Sequence, residues 1–172
     1  MRTFQHQTPA GTLTTIVDES DAVRAAGFTD DPEVLAVRMK LSAPPPVVDP
    51  TGPVDRAVRS YLGGDLTALD DLVVEQDGTA FQQQVWQALR DIPAGQTASY
   101  AHLAGTIGRG GATRAVGSAC GRNLVTPFVP CHRAVRTDGS MGGYYYGLAV
   151  KDWLLAHETG QSLGHGDGAT SA

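Results

Sequence analysis

Apolar and polar residues alternate along two early stretches, GTLTTIV (11–17) and AVRAAGF (22–28). A period of two is that of half-buried strands, and DESD (18–21) between them is rich in turn formers, so a hairpin is predicted. VLAVRMKL (34–41) predicts a third strand. APPPVVDPTGP (43–53) can continue neither a helix nor a central strand, because proline donates no backbone hydrogen bond, and it reads as a loop. The period then lengthens. VDRAVRSYLGGD sets Val54, Ala57, Val58, Tyr61 and Leu62 on one helical stripe that stops at Gly63 and Gly64. Residues 1–78 are thus expected to form a small N-terminal α/β domain, a hairpin or sheet plus helix.

From Thr79 the pattern is helical. TAFQQQVWQALRDIPAG opens with Thr79 and Gln82 in capping-box spacing and carries Phe81, Val85, Trp86 and Leu89 on one face. In SYAHLAGTIG, Ser99 can cap, Leu103, Ala104 and Ile107 can pack, and Gly108 can terminate. After the turn RGG, ATRAVGSACGRN (112–123) offers a narrow stripe of Ala115, Val116, Ala119 and Cys120. Two short helices across a glycine-containing turn have the form of a helix-turn-helix, although many helical hairpins bind no DNA. LVTPFVPCHRAVR (124–136) predicts a strand, with TDGS (137–140) as a hairpin turn. GGYYYG (142–147) reads as an irregular aromatic loop. LAVKDWLLAHETG (148–160) reads as a last helix with Leu148 and Leu155 inward, and residues 161–172 as a frayed tail.

Composition narrows the function classes. No apolar run approaches the roughly 20 residues of a membrane span, and the N-terminal stretch has no apolar signal-peptide core, so a cytoplasmic, membrane-free protein is expected. The net charge of −5 speaks against nucleic acid when taken whole. It is unevenly placed, however. Residues 1–78 hold 6 Lys+Arg against 13 Asp+Glu, whereas residues 79–160 hold 7 against 4. A DNA-contacting second half is therefore permitted.

The chemistry concentrates in VPCHRAV (129–135), where Cys131 adjoins His132. A thiol attacks as its thiolate, a histidine can take the proton, and a carboxylate can hold the histidine tautomer. Glu158, at the end of the last helix, is a candidate for that carboxylate. Successive strand residues point oppositely, so Cys131 and His132 converge only if the backbone bends, which Pro130 favours. Two other readings stay open on residue types alone. Cys131 can be a buried structural thiol, and Cys120, Cys131, His132 and His157 can be zinc ligands, at a spacing that fits no usual finger or ribbon.

PCHRAV (130–135) resembles the active-site signature of the O6-alkylguanine-DNA alkyltransferases, the methylated-DNA–protein-cysteine methyltransferases. FQQQVWQALRDIPAGQTASYAHLA, ATRAVGSACGRN and GLAVKDWLLAHE resemble the same family's C-terminal domain, in order, over about 80 continuous residues. TPAGTLTTIVDE resembles its N-terminal domain loosely. The resemblance implies an α+β protein, with residues 79–160 as a mostly helical DNA-binding and catalytic domain. It implies direct-reversal repair by irreversible, single-turnover alkyl transfer from O6-alkylguanine in duplex DNA to Cys131. His132 would deprotonate Cys131 through a water and Glu158 would orient His132. Asn123 would brace the turn before the active-site segment, and Tyr100 would crowd a phosphate and serve guanine N3. The recognition helix would enter the minor groove, with Arg114 filling the vacated stack and Ala115, Gly117, Ala119 and Arg122 along the DNA face. Ala134, Tyr144, Tyr145 and Tyr146 would line the substrate pocket. Tyr145 and Tyr146 stand where many relatives carry small residues, so a narrowed rim is expected. Some members of that family bind zinc in the N-terminal domain, but no cysteine precedes residue 120 here, so no metal is expected; no cofactor is expected either, and a monomer is. The alternatives are a non-catalytic binder of alkylated DNA and a Cys-His-Glu thiol transferase or hydrolase.

Overall fold

The computed structural model describes residues 1–160. The tail expected over 161–172 lies outside the described residues. The chain opens with an antiparallel meander of β1 (Arg2–Thr8), β2 (Gly11–Val17) and β3 (Val23–Phe28), with β2 central. The β2–β3 hairpin pairs Leu13 with Phe28 and Ile16 with Ala25, as the alternation predicts. The third strand is not where expected. Residues 34–38 belong to helix α1 (Pro32–Arg38) and 39–41 to the turn that follows, because the Asp31 carboxylate caps Glu33 N at 3.0 Å and Pro32 sits in the first turn, where its missing N–H costs nothing. The third strand is β1, which turns Phe4 and His6 inward.

Helix α2 (Gly52–Leu62) lays Val54, Val58 and Tyr61 against β1. Helix α3 (Ala80–Arg90) starts on the expected capping box, with Thr79 Oγ1 accepting from Gln82 N at 3.2 Å and Gln82 Oε1 from Thr79 N at 3.0 Å. It buries Val85, Trp86 and Leu89. Trp86 Nε1 donates to Ala119 O at 2.9 Å, so one side chain joins α3 to the helix-turn-helix. Truncating a buried aromatic of this kind costs about 3–5 kcal/mol.

The helix-turn-helix consists of α4 (Tyr100–Thr106), capped by Ser99, and α5 (Thr113–Gly121). On α5 the packing stripe is Val116, Ala119 and Cys120; Ala115 is exposed. The strand expected over 124–136 is largely absent. Pro127 and Pro130 cannot donate to a ladder, and the chain instead makes a buried loop, a 3-10 turn at Cys131–Arg133, and a two-residue strand β5 (Ala134–Val135) parallel to β4 (Ala98–Ser99). TDGS does form a turn, with Asp138 accepting from Ser140 N at 2.9 Å, but it joins no second strand. The last helix, α6 (Leu148–Glu158), buries Lys151, Trp153, Leu154 and Glu158. Leu148, expected inward, is half exposed, and Leu155 is only partly buried. One apolar core runs from Phe4 and Val23 through Leu89 and Val116 to Cys131 and Leu154.

Candidate active site

One buried amide braces the loop that leads into Cys131. Asn123 Nδ2 donates to Val129 O at 2.8 Å, while its Oδ1 accepts from Val125 N at 3.1 Å. Both ends of the 123–129 loop are thereby tied to one buried side chain. Gln76 grips the same point from the N-terminal half, donating from Nε2 to Asn123 Oδ1 and accepting from Leu124 N, each at 2.9 Å. The chain then tightens, with Cys131 N on Val129 O at 2.9 Å and Arg133 N on Pro130 O at 3.0 Å. Consecutive residues of a 3-10 turn are about 120° apart, not the 180° of a strand. The bend that Pro130 was expected to introduce is this turn.

Behind Cys131 lies a buried ionic cluster. His132 Nε2 is 2.9 Å from Glu158 Oε2, off the axis of a well-aligned hydrogen bond, and His132 Nδ1 has no partner among the described residues. Arg133 Nε donates to Glu158 Oε1 and Nη2 to Oε2, each at 2.9 Å, and Nη1 donates to Ile92 O at 2.6 Å. Tyr61 OH donates to Glu158 Oε2 at 2.6 Å. Burial alone would push the Glu158 carboxyl up, but the His132 ring beside it and the hydrogen bonds and positive charge of Arg133 outweigh it, holding Glu158 well below the usual carboxylate range. Burial pushes His132 down, against the pull of Glu158, so the ring is neutral. Burial also pushes the Cys131 thiol up, with the Asn123 and Thr126 side chains working the other way.

In front of Cys131 lies a cleft of about 560 Å³. Its walls include Tyr100, Arg114, Gly117, Cys131, Tyr144 and Tyr145. Gly142 adopts φ +69°, and a Cβ there would fall 2.8 Å from the Tyr100 hydroxyl. The 142–147 loop thus rests directly on Tyr100. Burial pushes the Tyr100 hydroxyl up to about 12, with the two cysteines adding and Arg136 opposing, so it keeps its proton at neutral pH. A larger cavity of about 610 Å³ is lined by Arg38, Gln76 and Arg122 but by neither Cys131 nor Tyr100.

The comparisons with known proteins point one way. The family described as 6-O-methylguanine DNA methyltransferase, DNA binding domain, matches residues 80–160. The methylated-DNA–protein-cysteine methyltransferase of Shigella flexneri is 39% identical over 161 residues, covering 88% of this chain and 91% of that protein. The chain belongs to the methylated-DNA–protein-cysteine methyltransferase family. Its fold is similar to Mycobacterium tuberculosis OGT in complex with DNA, with a TM-score of 0.78 and 30% identity over 94% of this chain and 95% of that one. It is also similar to the O6-methylguanine-DNA methyltransferase of the archaeon Pyrococcus kodakaraensis, with a TM-score of 0.66 and 25% identity over 91% and 98%.

Several residues expected to act in this methyltransferase family member do meet: Cys131, Tyr100, Arg114, Gly117, Tyr144 and Tyr145 share one cleft, and His132, Glu158 and Asn123 stand behind it. Others are placed elsewhere. Ala119 is buried under Trp86 and offers no side chain to DNA. Ala115 is exposed on α5, and Arg122 is exposed but lines the other cavity. Ala134 is wholly buried and faces Lys151 through its carbonyl. Tyr146 turns from the cleft onto Gly27. The zinc grouping does not assemble, since His157 Nε2 contacts Tyr61 O at 2.7 Å and its ring stacks on Trp153.

Arg133, Lys151 and Gln76 are structural members of the site that the periodicity alone passes over. Lys151 is fully buried, donating from Nζ to Ala134 O at 2.8 Å, to Gly143 O at 3.2 Å, and to Met141 O. It joins the segment after Cys131 to the loop over Tyr100. A signal was available for it: Lys151, Leu154 and Glu158 are spaced by three and four on one helical face, so a charge recurs on the apolar side.

Proposed function

We propose that the protein repairs O6-alkylguanine in duplex DNA by transferring the alkyl group, once and irreversibly, to Cys131. The observation that carries this reading is a cysteine opening onto a cleft beside Tyr100 and Arg114, backed by a neutral histidine on an ionised glutamate. With Glu158 ionised beside Nε2, the imidazole N–H belongs on Nε2, leaving the buried Nδ1 as the proton acceptor. His132 takes the thiol proton through a water, and the Cys131 Sγ lone pair attacks the carbon on guanine O6. The S–C bond forms, the C–O bond breaks, and its electron pair leaves with guanine, whose ring takes up a proton. Tyr100, still protonated, supplies a hydrogen bond at N3. Both electron pairs are accounted for without a cofactor. A thioether is stable to the residues around it, so each molecule acts once.

An O6-alkyl carbon cannot be approached in line inside a duplex, so the nucleotide must swing out at a cost of a few kcal/mol. Arg114, exposed at the start of α5 and on the cleft wall, fills the gap while adding charge near phosphate. Gly117, on the same wall, permits close approach of the backbone to the minor groove. Residues 79–160 act as the DNA-binding and catalytic unit and residues 1–78 as its scaffold. A working thiol requires a reducing compartment, and we place the protein in the cytoplasm. Among the described residues no helix is long and apolar enough to cross a membrane.

Counting methyl groups lost from excess O6-methylguanine duplex tests the reaction class. One methyl removed per protein molecule is expected. Many per molecule would make the protein a thiol hydrolase or transferase, and none would make it a binder of alkylated DNA.

A further inference from the structure

Arg38 is the last residue of α1, in the N-terminal half, yet it contacts three residues of the C-terminal half. Its guanidinium carbon lies 4.1 Å from the centre of the Tyr145 ring. Nη1 donates to Tyr146 OH and Nη2 to Asn123 O, each at 3.3 Å. A guanidinium can stack by its face and donate by its edge at once, which an ammonium cannot do in the same geometry. The loop is gripped from the other side as well. Tyr146 packs edge-on against Phe28, Tyr144 and Tyr145 at centroid distances of 6.5, 6.2 and 4.8 Å. Its hydroxyl occupies the place over Gly27 where a Cβ would come within 2.0 Å.

Of the two tyrosines of this loop that line the cleft with Cys131, Tyr144 and Tyr145, Tyr145 is the exposed one, at 57%. An exposed tyrosine on an irregular loop would ordinarily exchange between rotamers. Here its ring is held by a cation whose other donors are fixed on Tyr146 and Asn123.

We infer that Arg38 is a positioning residue for substrate selection: by clasping Tyr145 and Tyr146 it fixes the rim of the Cys131 cleft and restricts transfer to small alkyl groups. The inference rests on the alkyl-transfer reading and assigns the N-terminal half a part in specificity. Releasing the clasp lets Tyr145 swing outward, which admits a bulky adduct more than it helps a methyl group.

The test compares transfer rates from O6-benzylguanine and O6-methylguanine placed in the same duplex, using the full chain. Arg38→Ala is expected to raise the benzyl-to-methyl rate ratio about fivefold, the order of one exposed cation–π contact, and to speed hydrogen exchange of the 141–147 segment. Arg38→Lys, which keeps the charge over Tyr145 but loses the fork, is expected to raise the ratio less. Gly27→Ala opens the clasp independently by displacing the tip of Tyr146 and is expected to act in the same direction. General loss of stability would lower both rates together and leave the ratio unmoved. An unchanged ratio in both Arg38→Ala and Gly27→Ala would overturn the inference. Were the wild type to transfer neither group, the alkyl-transfer reading would fall, and unchanged exchange at 141–147 in Arg38→Ala would still refute the clasp.

Discussion

Arg133 and Glu158 form a two-point pair, Nε to Oε1 and Nη2 to Oε2, both at 2.9 Å, with neither residue more than 5% exposed. The pair ties the Cys131–Arg133 turn to the end of α6, 25 residues further on. Glu158 therefore does more than orient His132. It neutralises a guanidinium that would otherwise be buried alone, and it anchors the segment carrying the thiol.

Glu158→Gln is accordingly expected to destabilise the protein strongly. Removing one partner of a buried pair costs about 3–5 kcal/mol, because the other charge stays desolvated. Urea denaturation of the two proteins measures it. A loss below about 1 kcal/mol, the worth of an exposed pair, would show that the cluster is not holding the turn.

The same cluster sets the acid limb of stability. Glu158 titrates below its ordinary 4.5 when folded, so its stabilisation is complete above 4.5 and fades as pH falls through the lower folded value. His132 titrates below its ordinary 6.5, so below 6.5 the unfolded chain binds a proton that the folded one refuses. Both effects weaken the fold toward acid. Denaturation midpoints should fall steadily below pH 6.5, and Glu158→Gln should flatten the part of that fall lying below 4.5.

Gln76→Ala removes both hydrogen bonds that brace Asn123 and Leu124. A loss of about 1–2 kcal/mol is expected, in line with two hydrogen bonds of which one serves a buried amide, together with slower alkyl transfer. Denaturation and single-turnover kinetics check the two parts. Transfer at the wild-type rate despite the stability loss would mean that the Asn123 turn needs no outside support.

In the absence of DNA, burial raises the Cys131 thiol above its ordinary value of 9.0. The thiolate fraction then grows about tenfold per pH unit across the neutral and mildly alkaline range. Labelling of Cys131 by iodoacetamide, followed by peptide mapping to separate it from Cys120, should rise without a plateau up to pH 9. A plateau near pH 7 would show a thiolate already formed in the free protein.

Arg114→Ala is expected to slow repair of duplex DNA by one to two orders of magnitude, since unstacking a base costs a few kcal/mol, and to leave reaction with free O6-methylguanine base nearly unchanged. Single-turnover rates with both substrates distinguish a role in extrusion from one in chemistry. Equal slowing of both would remove Arg114 from the extrusion step.

The legible parts of this protein were those where a local pattern and the final packing agree. The capping box at Thr79, the stripe of Val85, Trp86 and Leu89, and the alternation in β2 and β3 all appear where the sequence places them. Residues 34–41 misled because a short apolar run from Val34 to Val37 is followed by the strand-like alternation of Arg38, Met39, Lys40 and Leu41, while Asp31 and Pro32 start a helix just upstream. Residues 124–136 misled because their β-branched and apolar content reflects burial, and two prolines deny them a ladder. The chemistry at Cys131 and His132 was visible from adjacency. The contacts that hold it were not, because Gln76, Arg38 and Lys151 reach the site from 47, 85 and 17 residues away.

The central claim is that one alkyl group moves from guanine O6 to Cys131 Sγ and stays there. Mass spectrometry of the protein after incubation with O6-methylguanine duplex tests it most directly, with Cys131→Ser as the control. The account predicts a single added methyl group, mapped to the peptide containing Cys131, and none on the variant. An unmodified protein alongside demethylated DNA, or a methyl group mapped to Cys120, would contradict it.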